Sequence, residues 1–210
     1  MIKITFMGAG STVFLRNVLG DCIYTDALKG MEIALYDIDG QRLEQSAAIL
    51  EAINKGNGCP ASIRSYLGAE NRRKALSGAD FVINAIQVGG YDPCTITDFE
   101  IPKKYGLRQT IGDTLGIGGI MRALRTIPVL EDFARDMEAV CPNAWFLNYT
   151  NPMSMLTGYM LRYTGVKTLG LCHSVQTCSK TLMDAIGMSD RLEGRRELIA
   201  GINHMGWLLD

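Results

Sequence analysis

The sequence has no apolar run close to the ~20 residues that a membrane-spanning helix needs, and no signal-peptide cleavage site near its amino terminus. It has no excess of either charge, since 21 basic and 22 acidic residues are well mixed and leave a net charge of −1. No basic stripe marks a surface for nucleic acid or for an anionic membrane. These absences predict a cytoplasmic protein that binds neither nucleic acid nor a membrane.

Histidine is scarce, and cysteine does not form the pattern of a disulfide scaffold. The chain has 210 residues, with two histidines and six cysteines. Without a secretory signal, reduced thiols are the default, and most cysteines are expected to pack as small buried hydrophobic side chains. Both histidines follow apolar runs, and His173 comes directly after Cys172. A metal site, a nucleophile or ordinary packing could each explain this placement.

Apolar runs typical of strands alternate with helical patterns along the whole chain. The alternation begins with the run IKITFMG and ends with ELIAGINHMGWLL, which has the pattern of a last strand. It predicts an α/β fold, a Rossmann-type doubly wound parallel sheet. The longest helical pattern, 118–140, contains Pro128, which is expected to bend or divide the helix.

In doubly wound sheets, ligands bind beyond the carboxyl ends of the strands. Candidate site residues fall at these predicted ends: Gly8, Asp37, Asn84, Asn151 and Cys172. We therefore expect them to line one edge of the sheet.

The turn after the first strand has part of a dinucleotide-binding fingerprint. Gly8 would allow the tight turn, and Gly10 would let backbone N–H groups approach a pyrophosphate at the helix N-terminus. Val13 replaces the usual third glycine, and Ser11 could cap the helix or bind a phosphate. Asp37 ends the second strand, where an acid binds the ribose 2′-hydroxyl and favours NAD over its 2′-phosphorylated form. An ordinary strand–turn–helix with a solvated aspartate is the alternative, which the order of elements disfavours.

Cys172 and His204 are too far apart in sequence for a zinc finger, but neighbouring strand ends converge on a parallel sheet. A thiolate and an imidazole suit a borderline divalent metal ion with positions left open for substrate oxygens. Side chains alternate along an extended backbone, so Cys172 and His173 are expected to point in different directions. His173 is then a candidate proton donor. The alternative is a buried cysteine with two hydrogen-bonded histidines.

Two further segments leave alternatives open. Asn151 could present its amide to a sugar hydroxyl or to nicotinamide, or cap the helix that follows ahead of Pro152, and both roles can hold. The glycine-rich segment GDTLGIGG could be an active-site loop that carries Asp113, or a flexible connection.

Seven segments together resemble family 4 glycoside hydrolases, with the strongest likeness to their α-galactosidases. The segments are ITFMGAGSTVF, LYDID, QVGGYDPCTITDFEIP, GDTLGIGGIMRALRTIP, LNYTNPMSM, GLCHSVQ and AGINHMGW. The resemblance implies a fold similar to lactate and malate dehydrogenases, a redox-neutral glycosidase that uses NAD and Mn²⁺, and an α-galactoside substrate. It also implies an NAD-binding domain over 1–190, the start of a C-terminal substrate and dimerisation domain over 191–210, and a homo-oligomer at full length.

In the mechanism that the resemblance implies, NAD takes hydride from C3 of the sugar while Mn²⁺ on the C2 and C3 oxygens stabilises the ketone and the enediolate. A tyrosine base removes the C2 proton, the aglycone leaves, water adds back and the hydride returns. The matching residues are Cys172 and His204 as metal ligands, His173 as proton donor, Asp113 as the acid that makes the tyrosine more basic, Asn151 as a substrate ligand, and Gly8, Gly10, Ser11, Thr12 and Asp37 as the NAD site.

The family's tyrosine base and a substrate-binding arginine are expected beyond residue 210, and Tyr149, Tyr159 and Tyr163 match no family base. The chain as given is therefore expected to bind NAD without turning over glycosides. Within the family, α-glucosidase and α-galacturonidase are alternatives, and a phospho-glycosidase would need a basic phosphate site that we do not find.

Two alternatives lie outside the family. One is an NAD-dependent 2-hydroxyacid dehydrogenase with His204 as acid–base and Arg122 or Arg125 as its carboxylate clamp, which would leave Cys172 without a role. The other is a non-catalytic NAD-binding module, which would have no Mn²⁺ affinity.

Overall fold

Six parallel strands form one sheet in the computed structural model, which describes residues 1–58, 60–192 and 198–209. The strand order is β3-β2-β1-β4-β5-β6, with every neighbouring pair parallel. The strands are β1 (Lys3–Met7), β2 (Glu32–Asp37), β3 (Ser62–Leu67), β4 (Phe81–Asn84), β5 (Trp145–Asn148) and β6 (Lys167–Gly170). The predicted doubly wound α/β fold is confirmed.

Helices cover both faces of this sheet. They are α1 (Thr12–Tyr24), α2 (Gly40–Gly56), α3 (Arg72–Leu76), α4 (Ile96–Lys104), α5 (Gly116–Val140), α6 (Met153–Tyr163) and α7 (Ser174–Ala185). One hydrophobic core lies between the sheet and helices α1 and α2, and a second lies between the sheet and helices α3, α5 and α6. Neighbouring residues of β1 enter different cores, Phe6 the first and Met7 the second, and neither side chain is exposed. Burial on both faces explains why apolar residues of this strand do not alternate strictly with polar ones, although it also contains the buried Thr5.

The segment predicted as a last strand is a hairpin. Strands β7 (Ile199–Ile202) and β8 (Met205–Leu208) pair antiparallel and form a two-stranded sheet of their own. His204 lies in the turn between them with a φ of 65°, and polar Asn203 precedes it in that turn. The prediction of a single strand is therefore wrong, because the local apolar pattern does not reveal a reversal at a two-residue turn. The hairpin lies within 191–210, and the division into domains stays a prediction.

Helices 96–104 and 116–140 also differ from expectation. Helix α4 has no counterpart among the predicted elements; it contains Pro102 and follows a π-helical stretch over Gly90–Thr95. Helix α5 runs without interruption past Pro128, so the expectation that this proline divides the helix is wrong. Pro128 and Leu124 lie on the exposed side of α5, where solvent can satisfy the carbonyl that loses its partner. In the part of the chain that the structure describes, no helix is long and apolar enough to cross a membrane.

The described cysteines are free, and they differ in exposure. Cys141 is buried, and burial raises the pKa of its thiol to about 11, whereas Cys178 is exposed on α7. Three more are half-buried, namely Cys22, Cys94 and Cys172. The expectation that most cysteines are buried is therefore wrong for the described residues, of which only Cys141 is buried, and Cys59 lies outside them.

Candidate active site at the carboxyl edge of the sheet

The turn between β1 and α1 can be made only by glycine at position 8. Gly8 has a φ of 86°, and a Cβ there would lie 2.7 Å from the carbonyl oxygen of Ala85. A left-handed backbone and a close backbone neighbour both exclude a side chain. Because Ala85 follows β4, this contact lies where the strand order reverses between β1 and β4, which is the usual ligand position in such sheets.

Asp37 at the end of β2 holds the turn in place. Its Oδ2 accepts the N–H of Gly10 at 2.6 Å, and its Oδ1 accepts the N–H groups of Ile38 at 2.8 Å and Asp39 at 2.9 Å. The N–H of Gly10, which was expected to face a pyrophosphate, therefore donates to Asp37. Asp37 also lines the cleft beside the turn. Its carboxylate therefore holds the turn against the end of β2 and borders the cleft.

The two hydroxyl residues that follow Gly10 have different surroundings. Ser11 precedes α1 and makes no side-chain capping bond, so the capping role is not formed, and the residue lines the cleft instead. The Thr12 hydroxyl lies 3.0 Å from Ser46 Oγ and so connects α1 to α2. Among the described residues that line the cleft, Ser11 is present and Thr12 is not.

Two open clefts lie side by side along the carboxyl edge of the sheet. The glycine-loop cleft, about 510 Å³, extends from Asp37 across Gly8 and Gly10 to residues 85–89. The thiol cleft, about 370 Å³, is lined among others by Phe14, Asn151, Cys172, His173 and His204. The two share Ser11, Ala85, Ile86 and Gln87. Together they form one elongated space across the point where the strand order reverses.

Cys172 and His204 meet in the thiol cleft. Cys172 Sγ lies 3.5 Å from His204 Nε2, and it also accepts the N–H of Ser174 at 3.4 Å. Among the described residues, no group of three or more histidine, cysteine, aspartate or glutamate side chains could hold a metal ion. The pair can therefore supply two ligands, and other groups would have to complete a coordination shell.

His173 lines the same cleft but makes different contacts. Its ring lies 6.0 Å from that of Phe14 and 5.7 Å from that of Tyr149. Cys172 and His173 thus have different neighbours, but the expected strand alternation is absent, because β6 ends at Gly170 and His173 has helical backbone angles. Burial raises the pKa of Tyr149, which disfavours the phenolate form that a tyrosine base requires.

The two asparagines predicted at strand ends have different surroundings, since one lines the cleft and the other is buried. Asn151 lines the thiol cleft, and its Oδ1 accepts the N–H of Met153 at 3.3 Å, which supports the start of α6. Asn84 is fully buried, and its amide donates to Asn148 Oδ1 at 2.9 Å and Thr150 Oγ1 at 3.0 Å. The expectation that Asn84 lines the edge is wrong, because its side chain points into this polar network.

Two arginines of α5 pair with acids of the preceding segments. Arg122 donates to Asp113 Oδ2 at 2.9 Å and lines the thiol cleft. Burial lowers the pKa of Arg122, and the charge of Asp113 opposes this shift. Arg125 contacts both carboxylate oxygens of buried Asp98, at 2.7 and 3.3 Å. Both guanidinium groups thus have acidic partners, which weighs against either as the carboxylate clamp of a hydroxyacid dehydrogenase.

Sequence reasoning missed Thr114, whose hydroxyl oxygen lies 2.9 Å from His204 Nδ1. The only local signal is its position directly after Asp113, in a segment already considered as an active-site loop. Nothing in the sequence connects it with a histidine 90 residues away.

The strand order, the glycine turn and the acid at the end of β2 define a Rossmann-type fold of the dinucleotide-binding class. In agreement, the structure of a lactate dehydrogenase from Eimeria maxima with NADH and oxamate matches with a TM-score of 0.61, at 13% identity. The match covers 94% of this chain and 52% of that chain. The predicted similarity to lactate dehydrogenases is therefore confirmed for the fold.

Residues 3–188 match the family 4 glycosyl hydrolases, and the chain belongs to this family. An α-galactosidase of Bacillus subtilis (strain 168) is 63% identical over 210 residues, which are 100% of this chain and 48% of the relative. A 6-phospho-β-glucosidase from Thermotoga maritima, solved with manganese, NAD⁺ and glucose-6-phosphate, matches with a TM-score of 0.78 at 25% identity, over 98% of this chain and 48% of its own. The chain thus spans about half the length of the curated relatives that it matches.

Proposed function

We propose that the protein containing this chain hydrolyses α-galactosides with NAD⁺ and Mn²⁺, through a redox-neutral sequence of oxidation, elimination, addition and reduction. Family membership and the 63% identity to an α-galactosidase support the substrate class. The observation that carries the proposal is the 3.5 Å approach of Cys172 Sγ to His204 Nε2. It occurs in a cleft continuous with the glycine-loop cleft.

The glycine-loop cleft suits NAD⁺ in shape and charge. Gly8 keeps the turn free of a side chain where a Cβ would meet Ala85, so a cofactor can approach the backbone closely. Asp37 presents a carboxylate beside that turn, which suits a ribose diol and would repel a 2′-phosphate. Ser11 lines both clefts and lies where a cofactor would pass from one into the other.

Cys172 and His204 would hold Mn²⁺ in the thiol cleft. A thiolate and an imidazole are ordinary ligands for a divalent transition metal, and the two would leave positions for sugar oxygens. When bound, NAD⁺ accepts and returns a hydride, and Mn²⁺ supplies positive charge beside the sugar oxygens. Because that charge must lie next to the reacting sugar, both ligands need to line one cleft that can admit a sugar, and the shared position of Cys172 and His204 in the thiol cleft supports this.

Three further residues would bind substrate or move protons. Asn151 would bind a sugar hydroxyl through the part of its amide that is not used at the start of α6. His173, beside Phe14 and Tyr149, would donate a proton to the leaving group. Asp113, held by Arg122, would increase the basicity of the tyrosine base.

The test is a panel of p-nitrophenyl glycosides with the full-length protein, NAD⁺, Mn²⁺ and a thiol reductant. We expect release of p-nitrophenol from the α-galactoside, dependent on NAD⁺ and Mn²⁺, and no accumulation of NADH. A preference for the α-glucoside or the α-galacturonide would transfer the proposal to those activities of the family. Stoichiometric NADH formation with a hydroxyacid would contradict it in favour of a dehydrogenase.

Solvent deuterium tests the elimination step separately. Reaction in D₂O should give galactose that carries deuterium at C2, because elimination removes that proton and addition restores one from solvent. Complete retention of the original C2 proton would contradict the elimination step, unless the base returns the same proton before it exchanges with solvent.

A further inference from the structure

We infer that Thr114 is a positioning residue for the metal centre, since its hydroxyl orients His204 so that Nε2 faces Cys172. The inference rests on the proposed function, because it concerns the metal ion of that same site. The two ring nitrogens of His204 have different partners: Nε2 lies 3.5 Å from Cys172 Sγ, and Nδ1 lies 2.9 Å from Thr114 Oγ1. The ring is thus held between a candidate metal ligand and a hydroxyl group.

The Thr114 hydroxyl is placed to stabilise one tautomer of His204, the one that carries its proton on Nδ1. The same hydroxyl lies 3.4 Å from the carbonyl oxygen of Ile111. Because a hydroxyl can accept as well as donate, the Thr114 oxygen can accept N–H from Nδ1 of His204 while its own proton points to Ile111. The proton on Nδ1 leaves a lone pair on Nε2, which is the form that binds a metal ion.

The backbone around Thr114 is closely packed, so the hydroxyl has a defined position. Thr114 is 5% exposed and precedes α5, whose first turn carries Gly118 and Gly119. A Cβ at Gly119 would lie 2.5 Å from the carbonyl carbon of Thr114, and one at Gly118 would lie 2.1 Å from the carbonyl oxygen of Gly112. Of the two roles considered for this glycine-rich segment, the structure thus favours a packed site loop over a flexible connection.

A second contact holds the same loop. The neighbouring Asp113 pairs with Arg122 of α5 at 2.9 Å, and the Arg122 side chain is 11% exposed. Glycine packing and an ion pair therefore fix the loop on α5, while Thr114 extends from it to the hairpin turn. We expect the hydroxyl to hold the imidazole in position before a metal ion arrives.

The experiment measures Mn²⁺ and NAD⁺ affinities of the full-length protein and three variants, using electron paramagnetic resonance of free Mn²⁺ and calorimetry for NAD⁺. Thr114→Val keeps the shape of the side chain and removes the hydroxyl, Thr114→Ser keeps the hydroxyl, and Cys172→Ser removes a proposed ligand. We expect Thr114→Val to bind Mn²⁺ about 10-fold to 100-fold more weakly, as is typical when the partner of a metal-binding histidine is lost. Thr114→Ser should retain the parent affinity, and neither Thr114 variant should change NAD⁺ affinity.

Each contrary outcome has a distinct meaning. If the parent protein binds no Mn²⁺, or Cys172→Ser binds it as tightly as the parent, the proposed metal centre fails and this inference fails with it. If Cys172→Ser loses Mn²⁺ while Thr114→Val retains it, the inference alone is overturned. A matching loss of NAD⁺ affinity in Thr114→Val would identify a general structural role and would also overturn it, as would failure of Thr114→Ser to retain Mn²⁺.

Discussion

The carboxylate of Asp37 accepts the backbone N–H of Gly10 at 2.6 Å, so the acid at the end of β2 holds the turn at the end of β1. A residue expected to bind a ribose thus also organises the loop beside it, through two further N–H groups of Ile38 and Asp39. Loss of its carboxylate should affect both cofactor affinity and stability.

Asp37→Ala should weaken NAD⁺ binding and lower the free energy of unfolding, each by about 1–3 kcal/mol, the range for hydrogen bonds to a charged group. Calorimetry with NAD⁺ and urea unfolding measure the two effects. Asp39→Ala is the control for stability, because the Asp39 side chain accepts the N–H of Arg42 at the start of α2, and loss of this cap should cost about 1 kcal/mol. An unchanged NAD⁺ affinity in Asp37→Ala would remove Asp37 from the proposed cofactor site.

Cys172→Ser should abolish Mn²⁺-dependent activity of the full-length protein and leave NAD⁺ affinity unchanged. The thiol contacts His204 and Ser174 in the thiol cleft, whereas Asp37 ends β2 and Gly8 lies in the turn after β1. Metal titration and NAD⁺ calorimetry of the same preparation provide the comparison. Equal loss of both affinities would indicate a folding defect and no specific role in metal binding.

Two glycine-to-alanine substitutions in helices should have opposite effects on the free energy of unfolding. Gly119→Ala would bring a Cβ within 2.5 Å of the Thr114 backbone, and overpacking of this kind typically costs about 1–3 kcal/mol. Gly158→Ala is the control, since a Cβ there meets nothing within 4 Å and should stabilise α6 by about 0.5–1 kcal/mol. Urea unfolding of both variants decides the matter, and equal stability would contradict the described packing of the loop on α5.

The ion pairs of Asp136 should contribute stability that is lost in acid. Its Oδ2 lies 2.6 Å from Arg72 Nε and its Oδ1 lies 2.7 Å from Arg73 Nε. Burial acts to raise the pKa of Asp136, but hydrogen bonds from Arg73 and Arg72 outweigh it, so the pKa lies below the ordinary value of 3.8. The contribution is therefore complete above pH 3.8 and is lost as the pH falls through the lower, folded-state pKa.

Asp136→Asn should accordingly lower the free energy of unfolding by about 1–3 kcal/mol at neutral pH, and the difference from the parent should shrink below pH 3.8. Urea unfolding at a series of pH values measures this. Asp132→Asn, on the same helix but half-exposed and 3.7 Å from Arg135, should change stability little. A difference for Asp136→Asn that does not depend on pH would contradict the assigned pKa direction.

The parts of the fold that depend on local pattern could be predicted from the sequence. Strand β1 is mostly apolar because both faces are buried, and the alternation of strands with helices predicts a parallel sheet. Helix α4 was missed because Pro102 and the irregular stretch over Gly90–Thr95 interrupt its pattern. The hairpin was missed because β7 and β8 lie in one apolar segment, and only the backbone angles of His204 mark the reversal.

For the candidate site, too, the sequence predicts where residues lie along the chain better than it predicts their contacts. Convergence of segments at the sheet edge made a contact between Cys172 and His204 a reasonable expectation. The position of a residue at a strand end does not, however, reveal the direction of its side chain. Asn84 is the example, since its side chain points into the interior. The contacts of Thr114 and Arg122 depend on how a loop packs on α5, and the local pattern of a single sequence does not reveal that packing.

The hairpin that carries His204 forms a sheet separate from the one whose last strand leads to Cys172. An ion bound by both residues would therefore act as a cross-link between two sheets that share no ladder of backbone hydrogen bonds. Its binding would raise the free energy of unfolding, because an ion that binds the folded state and not the unfolded state stabilises the folded state. A chelator would then remove a structural connection together with a reactive group, and the hairpin of β7 and β8 would lose its protection from hydrogen exchange before the six-stranded sheet does.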